Sequence, residues 1–298
     1  MSEVKSNFPV VCFGEILWDF LPKGKVAGGA PVNVAYHLKM LGKNPAIISR
    51  IGSDNLGKEL IQLLKIKNME TAFIQIDKVI ETGKVLVKIK ENNEAKYEIV
   101  NPVAWDFIEW RDELISLVRD AKYFVFGSLI TRNTKSRNTL FSCLELAQKK
   151  MLDINLRPPY FDKKILKELL EKADLLKLNA AELQLISKWH KDYKNDDDKI
   201  KSLKERFQIE TIIVTKGSAG AILCISDLFY YHNGYTVSVA DTVGSGDAFL
   251  AAIISKLMDK ASAEEALRFA NALGAFVASC PGGCPEYEIK NVIELMEN

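Results

Sequence analysis

Residues 240–254 read Ala240-Asp241-Thr242-Val243-Gly244-Ser245-Gly246-Asp247-Ala248-Phe249-Leu250-Ala251-Ala252-Ile253-Ile254, a glycine-rich turn followed by an apolar stretch. We expect the turn to open a helix. The free N–H groups at 244–247 and the positive end of the helix dipole then form a pocket for a phosphoryl group or a developing anion. Asp247 lies at the same helix N-terminus. It is either an ordinary carboxylate at a helix start or a base that takes a proton from a hydroxyl.

Short apolar runs rich in β-branched residues alternate with helical patterns upstream of this turn. The predicted strands are Val10–Phe13, Ala46–Ile51, Ala72–Ile76, Tyr123–Phe126, Met151–Ile154, Leu175–Leu178 and Thr211–Val214. The predicted helices are Pro31–Leu41, Gly57–Leu64, Glu113–Val118, Thr134–Gln148, Lys163–Leu170, Asp198–Phe207, Asp247–Met258 and Ser262–Ser279. This alternation predicts βαβ units, and therefore an α/β fold with a mostly parallel sheet covered by helices on both faces.

The interval from Thr82 to Asn101 breaks this rhythm. Two stretches of period-2 alternation flank the turn formers Asn92-Asn93, which predicts an antiparallel hairpin covered on one face. Such a hairpin on an α/β domain is a lid, a dimer contact or a surface decoration, and the pattern alone does not choose between them.

Composition excludes several classes of protein. Among 298 residues, 40 are Lys or Arg and 39 are Asp or Glu, so no global positive field marks a nucleic-acid binder, and an anion must be met locally. The five cysteines include no Cys-x-x-Cys pair and the three histidines are scattered, which argues against a disulfide framework or a zinc cluster. No signal peptide or membrane span is predicted, so we expect a cytoplasmic protein.

Two motifs resemble signatures of the ribokinase-like (PfkB-type) carbohydrate kinases. Asp241-Thr-Val-Gly-Ser-Gly-Asp247 is similar to the carboxyl-terminal signature, and Gly28-Gly29-Ala-Pro-Val-Asn33-Val-Ala is similar to the amino-terminal one. The match runs from about residue 10 to residue 287. It implies that Asp247 is the catalytic base, that the amides of Gly244, Ser245 and Gly246 form an anion hole, and that Gly29 and Asn33 hold the sugar.

The same resemblance implies a nucleotide site and two cation sites. Asn179-Ala-Ala-Glu182 resembles a motif that serves the phosphates through Asn179 and Mg²⁺ through Glu182, by way of water. The loop Thr215-Lys216-Gly217-Ser218-Ala219-Gly220 resembles the ATP loop, with Thr215, Lys216, Gly217 and Gly220 as ATP-binding residues together with Gly246. Asn271 falls at an adenine-side position. Asp241 and Val243, with loop Ser279–Gly283, resemble a monovalent-cation site for which potassium is one candidate.

Asp19, in Gly14-Glu-Ile-Leu-Trp-Asp19, occupies the family's first sugar-hydroxyl position. Ala30-Pro31 stands where ribokinases carry Lys-Gly, which counts against ribose. The string Gly14–Pro22, with Pro102-Val-Ala-Trp105-Asp106, looks most like fructokinases. Asp153-Ile-Asn-Leu-Arg157 recurs among fructokinases and 2-keto-3-deoxygluconate kinases, and Arg157 either meets a phosphate or substrate oxygen by its planar fork or pairs with a carboxylate.

The expectation is one ribokinase-like three-layer α/β/α domain over residues 1–298, with a small antiparallel lid sheet formed by about 15–27 and 82–104. The expected activity is ATP- and Mg²⁺-dependent phosphorylation of a primary hydroxyl of a monosaccharide, with fructose favoured. The alternatives are a 2-keto-3-deoxygluconate or nucleoside kinase and, from another class, a non-catalytic sugar sensor. A nicotinamide dehydrogenase lacks support because no Gly-x-Gly-x-x-Gly follows the first strand. The resemblance also implies a homodimer through the lid.

Overall fold

The computed structural model describes residues 7–21, 24–89 and 95–297, and thirteen strands lie within these ranges. They are β1 (Val10–Phe13), β2 (Leu17–Leu21), β3 (Gly24–Gly28), β4 (Pro45–Gly52), β5 (Ile74–Asp77), β6 (Gly83–Ile89), β7 (Ala95–Ile99), β8 (Tyr123–Gly127), β9 (Lys149–Asp153), β10 (Leu175–Asn179), β11 (Thr211–Thr215), β12 (Ala221–Ile225) and β13 (Leu228–His232). Nine of them form one large sheet, in the order β13-β12-β11-β10-β9-β8-β1-β4-β5.

All neighbours from β5 to β11 in this sheet are parallel, whereas β11-β12 and β12-β13 are antiparallel. Parallel strands end at a common edge, so the loops that follow β1, β9, β10 and β11 come together there. Ligands of open α/β sheets bind in the crevice at this edge. The predicted α/β class with a mostly parallel sheet is confirmed.

Ten helices cover the sheet within the described ranges. They are α1 (Ala30–Met40), α2 (Asn55–Ile66), α3 (Glu113–Asp120), α4 (Thr134–Leu146), α5 (Lys163–Lys172), α6 (Ala180–Ser187), α7 (Asp196–Phe207), α8 (Ser245–Met258), α9 (Ala263–Ala278) and α10 (Ile289–Glu297). Alternation along β1 divides the core: Val10 and Cys12 face α1, α2, α8, α9 and α10, whereas Val11 and Phe13 face α3 to α7. The result is the predicted three-layer sandwich.

A second, smaller sheet has the order β3-β2-β6-β7. The pairs β2-β3 and β6-β7 are antiparallel as predicted, and the pairing that joins them, β2-β6, is parallel. Parallel neighbours need a long connection, and between β2 and β6 the chain runs through β3, α1, β4, α2 and β5. The turn formers Asn92-Asn93 lie outside the described residues.

Several elements differ from the sequence-based prediction for local reasons. β5 begins at Ile74 rather than Ala72, because the Glu70 carboxylate accepts the N–H groups of Thr71 and Ala72 in a turn. The hairpin β12-β13 was not predicted. Its two-residue turn places Ser226 and Asp227 at φ 50° and 65° without the Asn-Gly pair that usually signals this conformation. None of the helices in the described ranges has the length and apolar character that a bilayer crossing requires.

Candidate active site

Two cavities meet at the turn that precedes α8. The first, here the carboxylate cavity, has a volume of about 360 Å³ and is lined by Glu15, Asp19 and Asp247 among other residues. The second, the glycine-loop cavity, has a volume of about 290 Å³ and contains Gly217, Gly220 and Gly234 in its lining. Thr242 and Gly246 line both cavities, so the predicted anion-binding turn lies between them.

The backbone of this turn requires glycine at position 244. Gly244 has φ 74°, and a Cβ there would lie 2.5 Å from the Cα of Gly283. The Ser245 amide donates to the Thr242 carbonyl at 3.4 Å, and its hydroxyl donates to the same carbonyl at 2.9 Å. Ser245 is therefore used partly inside the turn, and the amides of Gly246 and Asp247 are left at the helix N-terminus, where no intrahelical acceptor is available.

Asp247 lies in the first turn of α8 and is only 8% exposed. Its Oδ2 accepts a hydrogen bond of 2.8 Å from Asn33 Nδ2 of α1. Burial raises the pKa of Asp247 to about 6, against the opposing effect of the Lys177 ammonium. A carboxylate with this pKa is ionised at neutral pH. Its pKa also lies close enough to neutral pH for the group to act as a proton acceptor.

All five residues predicted to bind substrate line the carboxylate cavity, namely Asp19, Gly29, Asn33, Arg157 and Asp247. Gly29 has φ 116°, and a Cβ there would lie 2.3 Å from the Glu15 carbonyl oxygen, so only glycine fits. Burial raises the pKa of Asp19 to about 6, against the Arg157 charge. Arg157 forms no carboxylate ion pair within the described ranges, and its Nη1 donates to the neighbouring Leu156 carbonyl.

Two charged residues of this cavity were not predicted. Glu15, which follows β1, is 5% exposed, and burial raises its pKa to about 7. Its Oε1 accepts from the Ala30 amide at 3.2 Å, whereas its Oε2 has no partner in the described part of the chain. Lys177 lies on β10 and pairs with Asp153 at 2.7 Å. In the sequence, Glu15 and Lys177 each appear as one charge in or beside an apolar run. Such a charge does not change the prediction of a strand, so neither residue was recognised as part of a site.

The glycine-loop cavity collects most of the predicted ATP-binding residues. Its lining includes Thr215, Gly217, Gly220, Gly246 and Asn271. Ser245 of the turn also lines it. Lys216 lies outside it and pairs with Asp196 of α7 at 3.3 Å. Gly220 must be glycine, because a Cβ there would lie 1.8 Å from the His232 carbonyl oxygen.

Asn179 and Glu182 line neither cavity and form a reciprocal cap at the start of α6. Asn179 Oδ1 accepts from the Glu182 amide, and Glu182 Oε2 accepts from the Asn179 amide. Glu182 Oε1 also accepts from the Leu156 amide at 2.8 Å, which fixes the loop that carries Arg157. Burial raises the pKa of Glu182. Each carboxylate oxygen retains a lone pair, so the side chain fits a hydrated cation better than a direct metal cage.

Asp241 and Val243, predicted at a monovalent-cation site, lie on the loop before the turn. Asp241 Oδ1 accepts from the Val243 amide at 3.0 Å, and the amides of Ala240 and Asp241 donate to the Ala278 carbonyl. Val243 lines the carboxylate cavity. This loop therefore abuts the end of α9, where the segment Ser279–Gly283 begins.

Two cavities on either side of one helix N-terminus fit a phosphotransferase that acts on an alcohol group, and the comparison with known families shows a carbohydrate kinase. The chain belongs to the pfkB family of carbohydrate kinases, which it matches over residues 23–290. The predicted family is thus confirmed.

Named relatives agree with this assignment. The probable chloroplastic fructokinase-6 of Arabidopsis thaliana is 31% identical over 315 residues, covering 95% of this chain and 81% of that protein. A crystal structure of fructokinase with bound ATP from Xylella fastidiosa matches with a TM-score of 0.84 at 22% identity, over 97% of this chain and 98% of that one. A fructokinase double mutant from Vibrio cholerae O395, described with fructose, ADP and potassium ion bound, matches with a TM-score of 0.81 at 22% identity, over 99% and 100%. At these identities the solved structures establish a shared fold.

Proposed function

We propose that this chain is an ATP-dependent kinase that phosphorylates a primary hydroxyl of fructose, the one on C6, to give fructose 6-phosphate. The observation that carries the proposal is the position of Asp247. This buried carboxylate lines the carboxylate cavity, and Gly246 beside it lines both cavities. A sugar hydroxyl in one cavity and a terminal phosphoryl group from the other would meet at this turn.

The chemistry of the site follows from that geometry. The sugar hydroxyl oxygen attacks the γ-phosphorus of ATP, the bond to the β-phosphate oxygen breaks, and ADP leaves with that electron pair. The hydroxyl proton passes to the Asp247 carboxylate. The amides of Gly246 and Asp247 donate to the oxygens of the transferring group, and much of the rate comes from positioning and charge stabilisation.

The charges of the carboxylate cavity favour a neutral sugar over a keto acid. Glu15, Asp19 and Asp247 line it together with two cations, Arg157 and Lys177. Lys177 is already paired with Asp153, so within the described ranges Arg157 is the cation of this cavity that has no carboxylate partner. A substrate carboxylate would meet this negative field, and a polyhydroxyl sugar would instead receive paired hydrogen bonds from carboxylates and from Asn33. The named fructokinase relatives support the same choice. 2-Keto-3-deoxygluconate and nucleosides are the alternative substrates.

ATP and Mg²⁺ are the proposed cosubstrate and cofactor. Thr215, Gly217, Gly220 and Asn271 would bind the nucleotide in the glycine-loop cavity. Mg²⁺, when bound, would neutralise phosphate charge, and Glu182 would hold it through water, since this ion keeps several waters beside one or two carboxylates. Potassium beside Asp241 and Val243 is the proposed monovalent cation, in keeping with the potassium ion bound to the Vibrio cholerae fructokinase.

The small sheet is proposed as a lid and as the contact of a homodimer. Asp19 of β2, Val85 of β6 and Ile99 of β7 all line the carboxylate cavity, so the sheet covers the substrate directly. Covering it would exclude water, which is a competing phosphoryl acceptor. We place the protein in the cytoplasm, as one ribokinase-like domain with this lid.

Release of ADP in a coupled assay with Mg-ATP tests the proposal. Fructose is compared with ribose, tagatose, 2-keto-3-deoxygluconate and common nucleosides, and fructose is expected to have the highest kcat/KM. Asp247→Asn should lose about 10²–10⁴-fold in kcat while still binding sugar, because it removes the proton acceptor. Asp259→Asn, near the other end of α8, serves as the matched control. Sugar binding without turnover by the wild-type chain would instead support a non-catalytic sensor.

A further inference from the structure

Lys177 is a buried ammonium in the middle of the large sheet. It lies on β10 and is 7% exposed. Its Nζ donates to Oδ2 of Asp153, its register partner on β9, at 2.7 Å. A buried ion pair is weak evidence for stability, because desolvation of two charges offsets their attraction and apolar residues of similar volume often do as well. The pair therefore calls for a reason beyond packing.

The position of the Lys177 ammonium supplies one. Lys177 lines the carboxylate cavity together with Asp247. A Cβ built on Gly246 would lie 3.2 Å from Lys177 Nζ, so the ammonium lies close to the backbone of the anion-binding turn. Gly246 lines both cavities. The charge is thus at the point where the two proposed substrates meet.

The hydrogen-bonding capacity of the pair is only partly used. An ammonium has three donors, and the described residues show one acceptor for Lys177. The other oxygen of Asp153, Oδ1, is buried and has no partner within the same ranges. Burial opposes the charged form of Lys177, but the carboxylates of Asp153 and then Asp247 outweigh it and raise the pKa of the lysine. The side chain is therefore a permanent cation with donors to spare.

We propose that Lys177 is a catalytic residue, whose ammonium contacts the transferring phosphoryl group from the β10 side and keeps Asp247 ionised to receive the hydroxyl proton. This inference rests on the proposed kinase function. Lys177 keeps its own proton throughout, since the proton of the sugar hydroxyl goes to Asp247 and the electron pair of the broken bond goes to ADP. Asp153 is a positioning residue that aims the ammonium at the turn.

A set of four variants separates catalysis from structure. Lys177→Met removes the charge but leaves Asp153 buried and unpaired, which endangers folding. The double variant Asp153→Asn/Lys177→Met removes both charges and keeps the volume, and Asp153→Asn alone keeps the ammonium. Lys149→Met is the matched control. Lys149 is a half-exposed lysine at the start of β9 that pairs with Glu210.

Kinetics with the best sugar substrate give the first readout. The double variant is expected to lose about 10²–10³-fold in kcat, as loss of one preorganised donor to a developing anion does, with less than threefold change in KM for sugar. The acid limb of its kcat/KM profile should move to higher pH. Asp153→Asn should retain more than a tenth of wild-type kcat. A double variant within threefold of wild type, with an unmoved acid limb, would overturn the proposal.

Calorimetric titration with Mg-ADP, alone and with aluminium fluoride as a phosphoryl mimic, gives a readout that needs no sugar turnover. Wild-type protein and Lys149→Met should bind ADP more tightly when the fluoride is present, and the double variant should lose that gain while binding ADP alone normally. An equal gain in both proteins overturns the role of Lys177 and leaves the kinase proposal standing. A wild-type chain that neither binds Mg-ADP nor turns over any sugar overturns both.

Discussion

Asn33 Nδ2 lies 2.8 Å from Asp247 Oδ2, although 214 residues separate them in the chain. The contact joins the first helix to the eighth, and α1 packs against α8 in the same core layer. Asn33 Oδ1 accepts from Cys284 Sγ at 3.2 Å, which orients the amide so that its NH₂ group faces the carboxylate. The two signature motifs therefore build a single hydrogen-bonded unit.

Asn33→Ala should weaken catalysis through Asp247. The hydrogen bond from Asn33 favours the ionised carboxylate, so its loss should raise the pKa of Asp247 further. A hydrogen bond to a charged group contributes about 1.5–3 kcal/mol, so kcat/KM for the sugar should fall roughly 10- to 100-fold. Steady-state kinetics across pH should also show the acid limb at higher pH. Asn44→Ala is the control. An acid limb that does not shift in Asn33→Ala would show that Asn33 does not influence the pKa of Asp247.

Gly244→Ala and Gly42→Ala form a matched pair for the anion-binding turn. The two glycines have φ 74° and 73°, so alanine is strained at either position by about 1–2 kcal/mol. At Gly42 nothing lies within 4 Å of the new Cβ, whereas at Gly244 it would meet the Gly283 backbone at 2.5 Å. In thermal unfolding, Gly244→Ala should lose at least as much stability as Gly42→Ala. Only Gly244→Ala should lose activity by more than tenfold. Equal activity in both would mean that the turn tolerates movement.

Much of the fold follows from hydrophobic periodicity. β1 is predicted and observed with the same bounds, Val10–Phe13, because a buried parallel strand is a continuous apolar run. Elements whose stability comes from their surroundings were missed. β13 lies at an edge of the sheet and has no fully buried residue, and α10 has a single buried residue, Val292, so neither carries a strong core signal.

The candidate site was predictable where several special residues cluster. Glycines with required conformations surround Asn33 and Asp247, and such clusters stand out against a background of core residues. Glu15 and Lys177 are isolated charges in the sequence. They can be recognised as site residues only in the fold, where β1, β10 and α8 bring them to one cavity. Glu182 illustrates the reverse case, since its spacing from Asn179 is that of a reciprocal helix cap as well as that of the motif from which a metal role was predicted.

The rate of sugar phosphorylation should fall in acid because the proton acceptor must be ionised. Burial raises the pKa of Asp247 to about 6, so kcat/KM should be flat above about pH 7 and decline below pH 6, approaching tenfold per pH unit. Asp19, with a pKa also raised to about 6 by burial, would steepen the decline if it binds sugar as an anion. Direct detection of ADP avoids coupling enzymes that fail in acid. Activity independent of pH between 5 and 8 would contradict Asp247 as the base.

Glu15 should contribute a loss of unfolding free energy as pH rises in the absence of ligand. Burial raises the pKa of this carboxyl from 4.5 to about 7, so between these values the folded chain holds a proton that the unfolded chain has released. The contribution of Glu15 is therefore most favourable below pH 4.5 and is lost as pH rises through 7.

Glu15→Gln abolishes this titration and mimics the protonated form. Between pH 5 and pH 8 the wild-type chain should lose about 2–3 kcal/mol more unfolding free energy than Glu15→Gln does. Urea unfolding at both pH values measures this difference, and Glu264→Gln, an exposed carboxyl on α9, should follow the wild type. Parallel pH dependence in the wild type and Glu15→Gln would show that Glu15 is solvated, and its unpartnered oxygen would then carry no energetic cost.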